Sequence, residues 1–360
     1  MKFYMPVKVY DEQECVALHG EELASLGRKA LIVTGKKSAQ RSGALNDVCT
    51  VLMMYGTPWY VFSGVEENPS VETVRKAASA GLAEGCDFVI GIGGGSPMDA
   101  AKAAAFLMKQ EDPQTADLYD ASMSSEAVPV AAVPTTCGTG SEVTGVSVLT
   151  LHEKRTKKSI PHKIFPTIAL IDGKYLNGAH QTMITNTSVD ALAHMMESYL
   201  SKKADAYSKA IAIEGLKIWS PCKEVLDGTR KADDADFSVL MRASTFAGMA
   251  IAQTGTSIPH ALSYIVTYED RIVHGKACGL FLARFVKEAA PEDRDPILEA
   301  AGFSDIDAFV TWIDKVFADT DVSPETLQRA YSTVVKDEVR MNGSRVPMDA
   351  DALKRVVGIQ

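Results

Sequence analysis

The sequence predicts an α/β first half joined to an all-helical second half, and three observations predict it. Strand-like and helix-like segments alternate from Lys29 to Asp172. Glycines follow several of the strand-like runs directly. After about Gly173 the alternation fades and long helix-compatible windows take over. Alternation of the first kind puts helices on the faces of a parallel sheet.

Taken in order, "KALIVTG" (Lys29–Gly35) reads as a strand, followed by a helical stretch around "ALNDVCTVLMMYG". "WYVFSG" (Trp59–Gly64) is the next strand. Ser70 to Gly85 follows as a helix, with Ser70 as N-cap and Gly85 as stop. "CDFVIGIGGG" carries a third strand, Phe88–Ile92. The alanine-rich "MDAAKAAAFLMK" after it is a helix, with Pro97 in its first turn. Val128–Thr136 and Thr167–Asp172 are two further strands. Ligands in such sheets bind beyond the carboxyl ends of the strands. Gly35, the triplet Gly93–Gly95 and "TTCGTGSE" all follow strands, so they belong on one edge.

The second half opens with "SVDALAHMMESYLSKK" and continues through "DFSVLMRASTFAGMAIAQTG". The boundary falls between Asp172 and Ala179, giving parts of 1–175 and 176–360. Between helices, "DGTRKADDADF" (Asp227–Phe237) reads as a solvated acidic loop.

A net charge of −9 argues against nucleic acid and anionic membranes as partners. No apolar run approaches a membrane span, and "MKFYMPVKVYDEQE" lacks the apolar core of a signal peptide. Six scattered cysteines without a C-x-x-C suit reduced thiols, so a cytoplasmic location is expected.

A glycine triplet between a buried strand and a helix lets backbone N–H groups approach an anion at a helix N-terminus. The spacing G-I-G-G-G-S has Ser96 where the third glycine of G-x-G-x-x-G would stand, and no P-loop is present. Phosphate binding and a merely tight turn both remain open on spacing alone.

In the helical half, Asp190 and His194 are four residues apart and share a helix face. That pair alone is also an ordinary helix-surface pair. His260 and His274 would stand ~21 Å apart on one straight helix. "YEDRIVHG" (Tyr268–Gly275), however, reads as a chain reversal that returns His274 toward His260. An aspartate and three imidazoles suit Fe(II) or Zn(II) and leave positions for a substrate oxygen. His19, His152, His162 and His180 lie in loop-like or polar contexts and read as surface residues.

These segments together resemble the iron-containing (group III) alcohol dehydrogenase family. "GGGSPMDAAKA" is similar to its G-G-G-S-x-x-D-x-A-K signature, and "PTTCGTGSEVT" to its P-T-T-A-G-T-G-S-E segment. "VDALAHMMESYLS" resembles its D-A-L-x-H-x-x-E-x-Y motif, and "PHALSYIVTYEDRIVHGKACG" the segment with its last two histidines. The resemblance implies a Rossmann-like dinucleotide-binding α/β domain followed by an all-α metal-binding domain, as in dehydroquinate synthase-like folds. It implies Asp190, His194, His260 and His274 as metal ligands and catalytic centre, for Fe(II) or, in some members, Zn(II). It implies Gly94, Gly95 and Ser96 around the pyrophosphate, with Asp99 close by. Asn68, Thr135, Thr136, Thr139 and Lys157 match other cofactor-side positions. The implied reaction is hydride transfer between a nicotinamide and a small alcohol or aldehyde, and relatives are commonly dimers or larger, so a homo-oligomer, a dimer, is expected.

Three departures stand out. Many members carry V-T-D after the first strand, where this chain has "VTGKKS". Gly35 removes a carboxylate that would repel a 2′-phosphate, and Lys36, Lys37 and Ser38 are placed to hold one. NADPH is therefore expected over NADH. Tyr264 stands where many relatives have another histidine, and an ordinary phenol is a poor relay base at neutral pH. Ser188 and Cys137 replace a glycine and an alanine. The same architecture also serves dehydroquinate synthase and glycerol-1-phosphate dehydrogenase, with polar substrates, and a non-catalytic nucleotide-binding protein is a further alternative.

Overall fold

Six parallel strands form the frame of the first half in a computed structural model that describes residues 3–111 and 117–359. The strands are β1 (Lys8–Asp11), β2 (Ala30–Gly35), β3 (Trp59–Val65), β4 (Phe88–Gly93), β5 (Val130–Pro134) and, after a hairpin of β6 (Val148–Leu151) and β7 (Thr156–Ser159), β8 (Ile168–Ile171). Their spatial order is β1-β8-β5-β4-β2-β3. β2, β4, β5 and β8 are almost wholly buried, as continuous apolar runs in a two-sided parallel sheet must be.

The order reverses at β2. The chain moves outward from β2 to β3, then crosses back to β4 on the other side of β2. The loops after β2 and β4 therefore leave the sheet at its topological switch point, the place where open α/β sheets receive ligands.

The predicted helix after β3 runs Val71–Ala83, with the Ser70 hydroxyl accepting from the Thr73 amide at 3.2 Å. The helix after β4 runs Gly95–Lys109 and is buried along most of its length. Its alanines at 100, 101 and 103–105 let it lie deep against the sheet. β1 and the β6–β7 hairpin had no clear sequence signal, since neither is a long apolar run.

The described chain divides into two compact units, residues 5–179 and 180–359, the latter joined by Phe3 and Tyr4. In the helical unit the principal helices are Gln181–Leu200, Ala206–Trp219, Asp234–Thr254, Ile258–Glu269 and His274–Lys287. The expected acidic loop at 227–237 is helical from Asp234 onward. Asp233 and Asp236 form a capping box there, so those carboxylates satisfy helix-start amides rather than water. Arg230 grips Asp236 with two hydrogen bonds of 2.6 and 2.7 Å.

His162 also departs from its expected surface position. It is buried, its ring stacks on Phe106 at 4.1 Å, and its Nδ1 pairs with the Ser125 hydroxyl. Burial depresses its pKa and favours the neutral ring.

Candidate active site

In the α/β unit, most of the residues expected to face a cofactor gather around the N-terminus of the Gly95–Lys109 helix. Gly93 has φ +146°, and a Cβ there would stand 2.7 Å from Pro97 Cγ, so only glycine makes this turn. The N-cap, Gly94, has no side chain to satisfy the first amides. The N–H groups of Gly95 and Ser96 belong to the helix's first turn, which has no intrahelical acceptors for them. Pro97 has no N–H to offer.

The threonine loop after β5 closes on this turn. The Thr135 amide donates to Gly93 O at 2.9 Å. Cβ atoms built at Gly94 and Gly95 would stand 3.0 Å from Thr136 Oγ1 and 2.8 Å from Thr139 Cγ2. The Thr135 hydroxyl is buried without a hydrogen-bond partner. Opposite, the Asn68 amide donates to Ser96 Oγ at 3.0 Å, and Lys157 Nζ donates to Asn68 Oδ1 at 2.9 Å. Asn68 has φ +57° and its carbonyl accepts from Thr150 Oγ1 at 2.7 Å, which ties it to the hairpin. Free helix-start amides beside an orphaned hydroxyl fit a pyrophosphate-bearing dinucleotide.

Asp99 has a different setting. It accepts from Ser141 Oγ at 2.6 Å and from the Val148 amide at 2.8 Å, and it faces Lys102 Nζ at 3.2 Å. Lys102 is fully buried and also donates to Ser141 Oγ, Ser141 O and the Val146 carbonyl. Burial lowers its pKa, against the pull of Asp99. This network fastens the segment 141–148 to the Gly95–Lys109 helix. Lys102, Ser141 and Val148 were not singled out in the sequence, although the lysine of the G-G-G-S-x-x-D-x-A-K signature was visible there.

At the end of β2, Gly35 lies beside the same helix: a Cβ there would be 3.8 Å from Pro97 Cγ and 3.4 Å from Ser38 Oγ. Lys36, Lys37 and Ser38 are exposed.

In the helical unit, a second cluster assembles from three helices. Asp190 and His194 lie on Gln181–Leu200, His260 on Ile258–Glu269, and His274 opens His274–Lys287. The reversal read from "YEDRIVHG" is present between the last two helices, with Arg271 at φ +55°. It brings the His260 and His274 ring centroids to 5.4 Å. Asp190 Oδ1 stands 3.4 Å from His260 Nε2 and 3.8 Å from His274 Nε2. Gly275 makes this approach possible, since a Cβ there would fall 1.9 Å from the Asn186 carbonyl oxygen.

The imidazoles are held in defined orientations. His260 Nδ1 donates to Glu197 at 2.5 Å, and Glu197 also accepts from the Ser257 amide at 2.5 Å and the Ser257 hydroxyl at 2.9 Å. That bond leaves His260 Nε2 as the lone-pair nitrogen. Ser263 Oγ donates to His260 O at 2.8 Å and so accepts from His274 Nδ1 at 3.3 Å, which turns His274 Nε2 toward Asp190. Asp190 Oδ1 and His260 Nε2 are both buried and lack hydrogen-bond partners. Two orphaned, facing donors of this type fit a cation.

The buried groups of this cluster shift one another's ionisation strongly. Burial would raise the Asp190 pKa, but His194, His274 and His260 hold it well below the usual carboxylate range. Burial would lower His260, but Cys278, Glu197 and Asp190 raise it well above the usual imidazole value. Tyr264 stacks on His274 at 5.6 Å, and burial raises the pKa of its phenol, which keeps it protonated.

The donor atoms that converge are those of Asp190, His260, His274 and Cys278, all within 4.8 Å of one another. His194 stacks on His260 at 4.4 Å, next to this group. Glu197 and Cys278 were missed in the sequence. Each had a signal: Glu197 lies seven residues after Asp190, on the same helix face, and Cys278 four after His274.

Comparison with known proteins follows the same division of the chain. The model for iron-containing alcohol dehydrogenase matches residues 6–173, and the C-terminal model of the Fe-containing alcohol dehydrogenase family matches 184–306. Long-chain-alcohol dehydrogenase 1 of Geobacillus thermodenitrificans is 29% identical, over 89% of this chain and 85% of that protein. Lactaldehyde reductase of Escherichia coli is 31% identical, over 72% and 68%. The crystal structure of an iron-containing alcohol dehydrogenase from Thermotoga maritima superposes with a TM-score of 0.90 at 35% identity, covering 99% of each chain.

Proposed function

The chain belongs to the iron-containing alcohol dehydrogenase family, and from that premise we propose that it is a cation-dependent, NADP(H)-preferring oxidoreductase that interconverts small alcohols and aldehydes. The observation that carries the reading is the pair of buried, partnerless donors on Asp190 and His260, faced by His274.

In this reading Asp190, His260 and His274 hold the cation, with His194 beside them as a further donor. A bound divalent cation would supply charge stabilisation at a substrate oxygen, while the nicotinamide carries the hydride. The protein's own contribution is orientation. Glu197 keeps the His260 proton on Nδ1, and Ser263 does the same for His274. Asp190 contributes a charge that burial would otherwise disfavour.

In the α/β unit, Gly94, Gly95 and Ser96 bind the pyrophosphate through backbone amides, and Thr135, Thr136 and Thr139 line the adjoining loop. Lys157 acts through Asn68, and Asp99 holds the surrounding loops in place. NADPH is preferred because no carboxylate stands at position 35, and the exposed Lys36 and Lys37 have no acidic partner among the described residues. None of the six cysteines is in a disulfide, which accords with a reducing, cytoplasmic setting. Membership of the family also leads us to expect a homodimer.

The test compares NADPH and NADH dissociation constants and aldehyde reduction by the cation-free and Fe(II)- or Zn(II)-loaded protein. Turnover that appears on loading, with tighter NADPH, is expected. Tighter NADH would overturn the cofactor preference, and equal turnover without a cation would overturn the site.

A further inference from the structure

Glu197 is fully buried and accepts three hydrogen bonds from the segment 257–260. The Ser257 amide and hydroxyl donate to Oε2, and His260 Nδ1 donates to Oε1. Ser257 stands at the N-cap of the helix Ile258–Glu269, yet its hydroxyl makes no cap bond there. A serine at an N-cap ordinarily accepts from the helix-start amides. Here it serves Glu197 instead, so whatever fixes the link 255–257 also fixes the His260 ring.

Arg340 holds that link by its carbonyls. Its Nη1 donates to Thr256 O at 2.5 Å, to Thr256 Oγ1 at 3.2 Å and to Ser257 O at 3.4 Å. The Thr256 carbonyl and the Ser257 amide belong to one planar peptide group. Arg340 therefore binds its oxygen while Glu197 binds its N–H. A guanidinium on the carbonyl polarises the peptide and makes its N–H a stronger donor toward a carboxylate. Arg340 is itself anchored near the end of the helix that carries Glu197. Lys202 N donates to Gly343 O at 2.9 Å, and Arg345 N donates to Leu200 O at 2.7 Å. The Arg340 amide donates to Asp337 Oδ1 at 3.0 Å. These residues lie beyond 306, where the match to the family's C-terminal model ends.

We infer that Arg340 is a positioning residue for the cation centre, acting on the His260 imidazole through the Thr256–Ser257 peptide and Glu197. The inference rests on the cation site proposed above. The guanidinium charge strengthens the bond from the Ser257 amide to Glu197 and so helps to hold a carboxylate that burial alone would disfavour. Glu197 in turn keeps the His260 proton on Nδ1 and leaves Nε2 directed at Asp190 Oδ1, 3.4 Å away.

The test reads the His260 Nδ1 proton by NMR of the cation-free, full-length protein, beside calorimetric Zn(II) titration. A 2.5 Å bond to a buried carboxylate places this proton far downfield, and Glu197→Gln identifies its resonance by displacing it. Arg340→Met should move the resonance upfield and weaken Zn(II) binding about tenfold, the lower end for loss of an outer-shell partner. Arg340→Gln, which keeps an amide donor but no charge, should act in the same direction and serves where the methionine variant does not fold. Arg340→Lys keeps the charge and should restore most of both readouts. Arg345→Met loosens the same segment at the Tyr199 carbonyl without reaching Thr256, and should leave the resonance in place. An unmoved resonance or unchanged Zn(II) affinity in the Arg340 variants would overturn the positioning role. So would an equal shift in Arg345→Met, or the lack of a downfield resonance in the wild type. A shifted resonance in a protein whose wild type binds no Zn(II) would leave the hold of Arg340 on His260 standing and overturn the cation site.

Discussion

The glycine-rich edge of the sheet and the acid–imidazole cluster of the helices are made from opposite materials. The first is built mainly from backbone: helix-start amides at Gly95 and Ser96, a turn at Gly93, and a threonine loop packed against both. What it needs from the sequence is the absence of Cβ atoms. The second is built from side-chain tips carried by three helices, and each tip is fixed by a partner of its own, as Glu197 fixes His260. What it needs is rigid spacing between helices, which Gly275 provides by close approach to Asn186. A backbone site fails when something is added, and a side-chain site fails when something is removed.

The strongest way to sharpen that contrast is His260→Ala. Several kcal/mol of charge stabilisation, at about 1.4 kcal/mol per decade, put the expected loss of turnover at roughly a thousandfold. Elemental analysis should show the cation gone. NADPH affinity should stay within about twofold, and an equal loss there would break the separation of the two regions.

Lys102→Met tests the support of the sheet edge. Removing one partner of a buried ion pair costs about 3–5 kcal/mol, read by denaturant unfolding. NADPH affinity should also fall, because the 141–148 segment loosens. Unchanged unfolding would show that the Asp99–Lys102 network carries no structural load.

Gly275→Ala adds one methyl group where a carbonyl oxygen already stands. Overpacking of this sort costs about 1–3 kcal/mol, and calorimetric cation titration should show weaker binding as His274 shifts. A variant with unaltered cation affinity would separate Gly275 from the site.

Smaller effects are expected at the cofactor's far end. Lys36→Ala and Lys37→Ala should each weaken NADPH by about 1 kcal/mol, roughly fivefold, and leave NADH unchanged. Parallel losses for both cofactors would assign the lysines to general steering. Tyr264→Phe should leave kcat within about twofold, since a phenol with a raised pKa holds its proton at neutral pH. A larger fall would give Tyr264 a proton-transfer role.

The same contrast explains what was legible in the sequence. The strands β2, β4 and β5 and the Ser70 cap could be read because local patterning determines them. β1 and the β6–β7 hairpin are short, and their place depends on partners far along the chain. The glycine turn was visible as spacing, but the lock between Asp99, Lys102 and Ser141 joins residues 42 positions apart and needs the fold. His162 was misread as surface because loop context says nothing about the Phe106 ring beneath it. In the helices, Asp190 and His194 announced themselves at one-turn spacing, whereas the convergence with His260, His274 and Cys278 depends on a chain reversal and on inter-helix packing. Cys278 and Glu197 sit at legible helical intervals, but spacing alone does not separate them from ordinary core or motif positions.

The most direct test of the account is anaerobic NADPH oxidation with a panel of short aldehydes, run on cation-stripped protein before and after reloading. The account predicts negligible turnover when stripped and restored turnover with Fe(II) or Zn(II), while NADPH binds in both states. Full turnover by protein shown to hold no cation would contradict it.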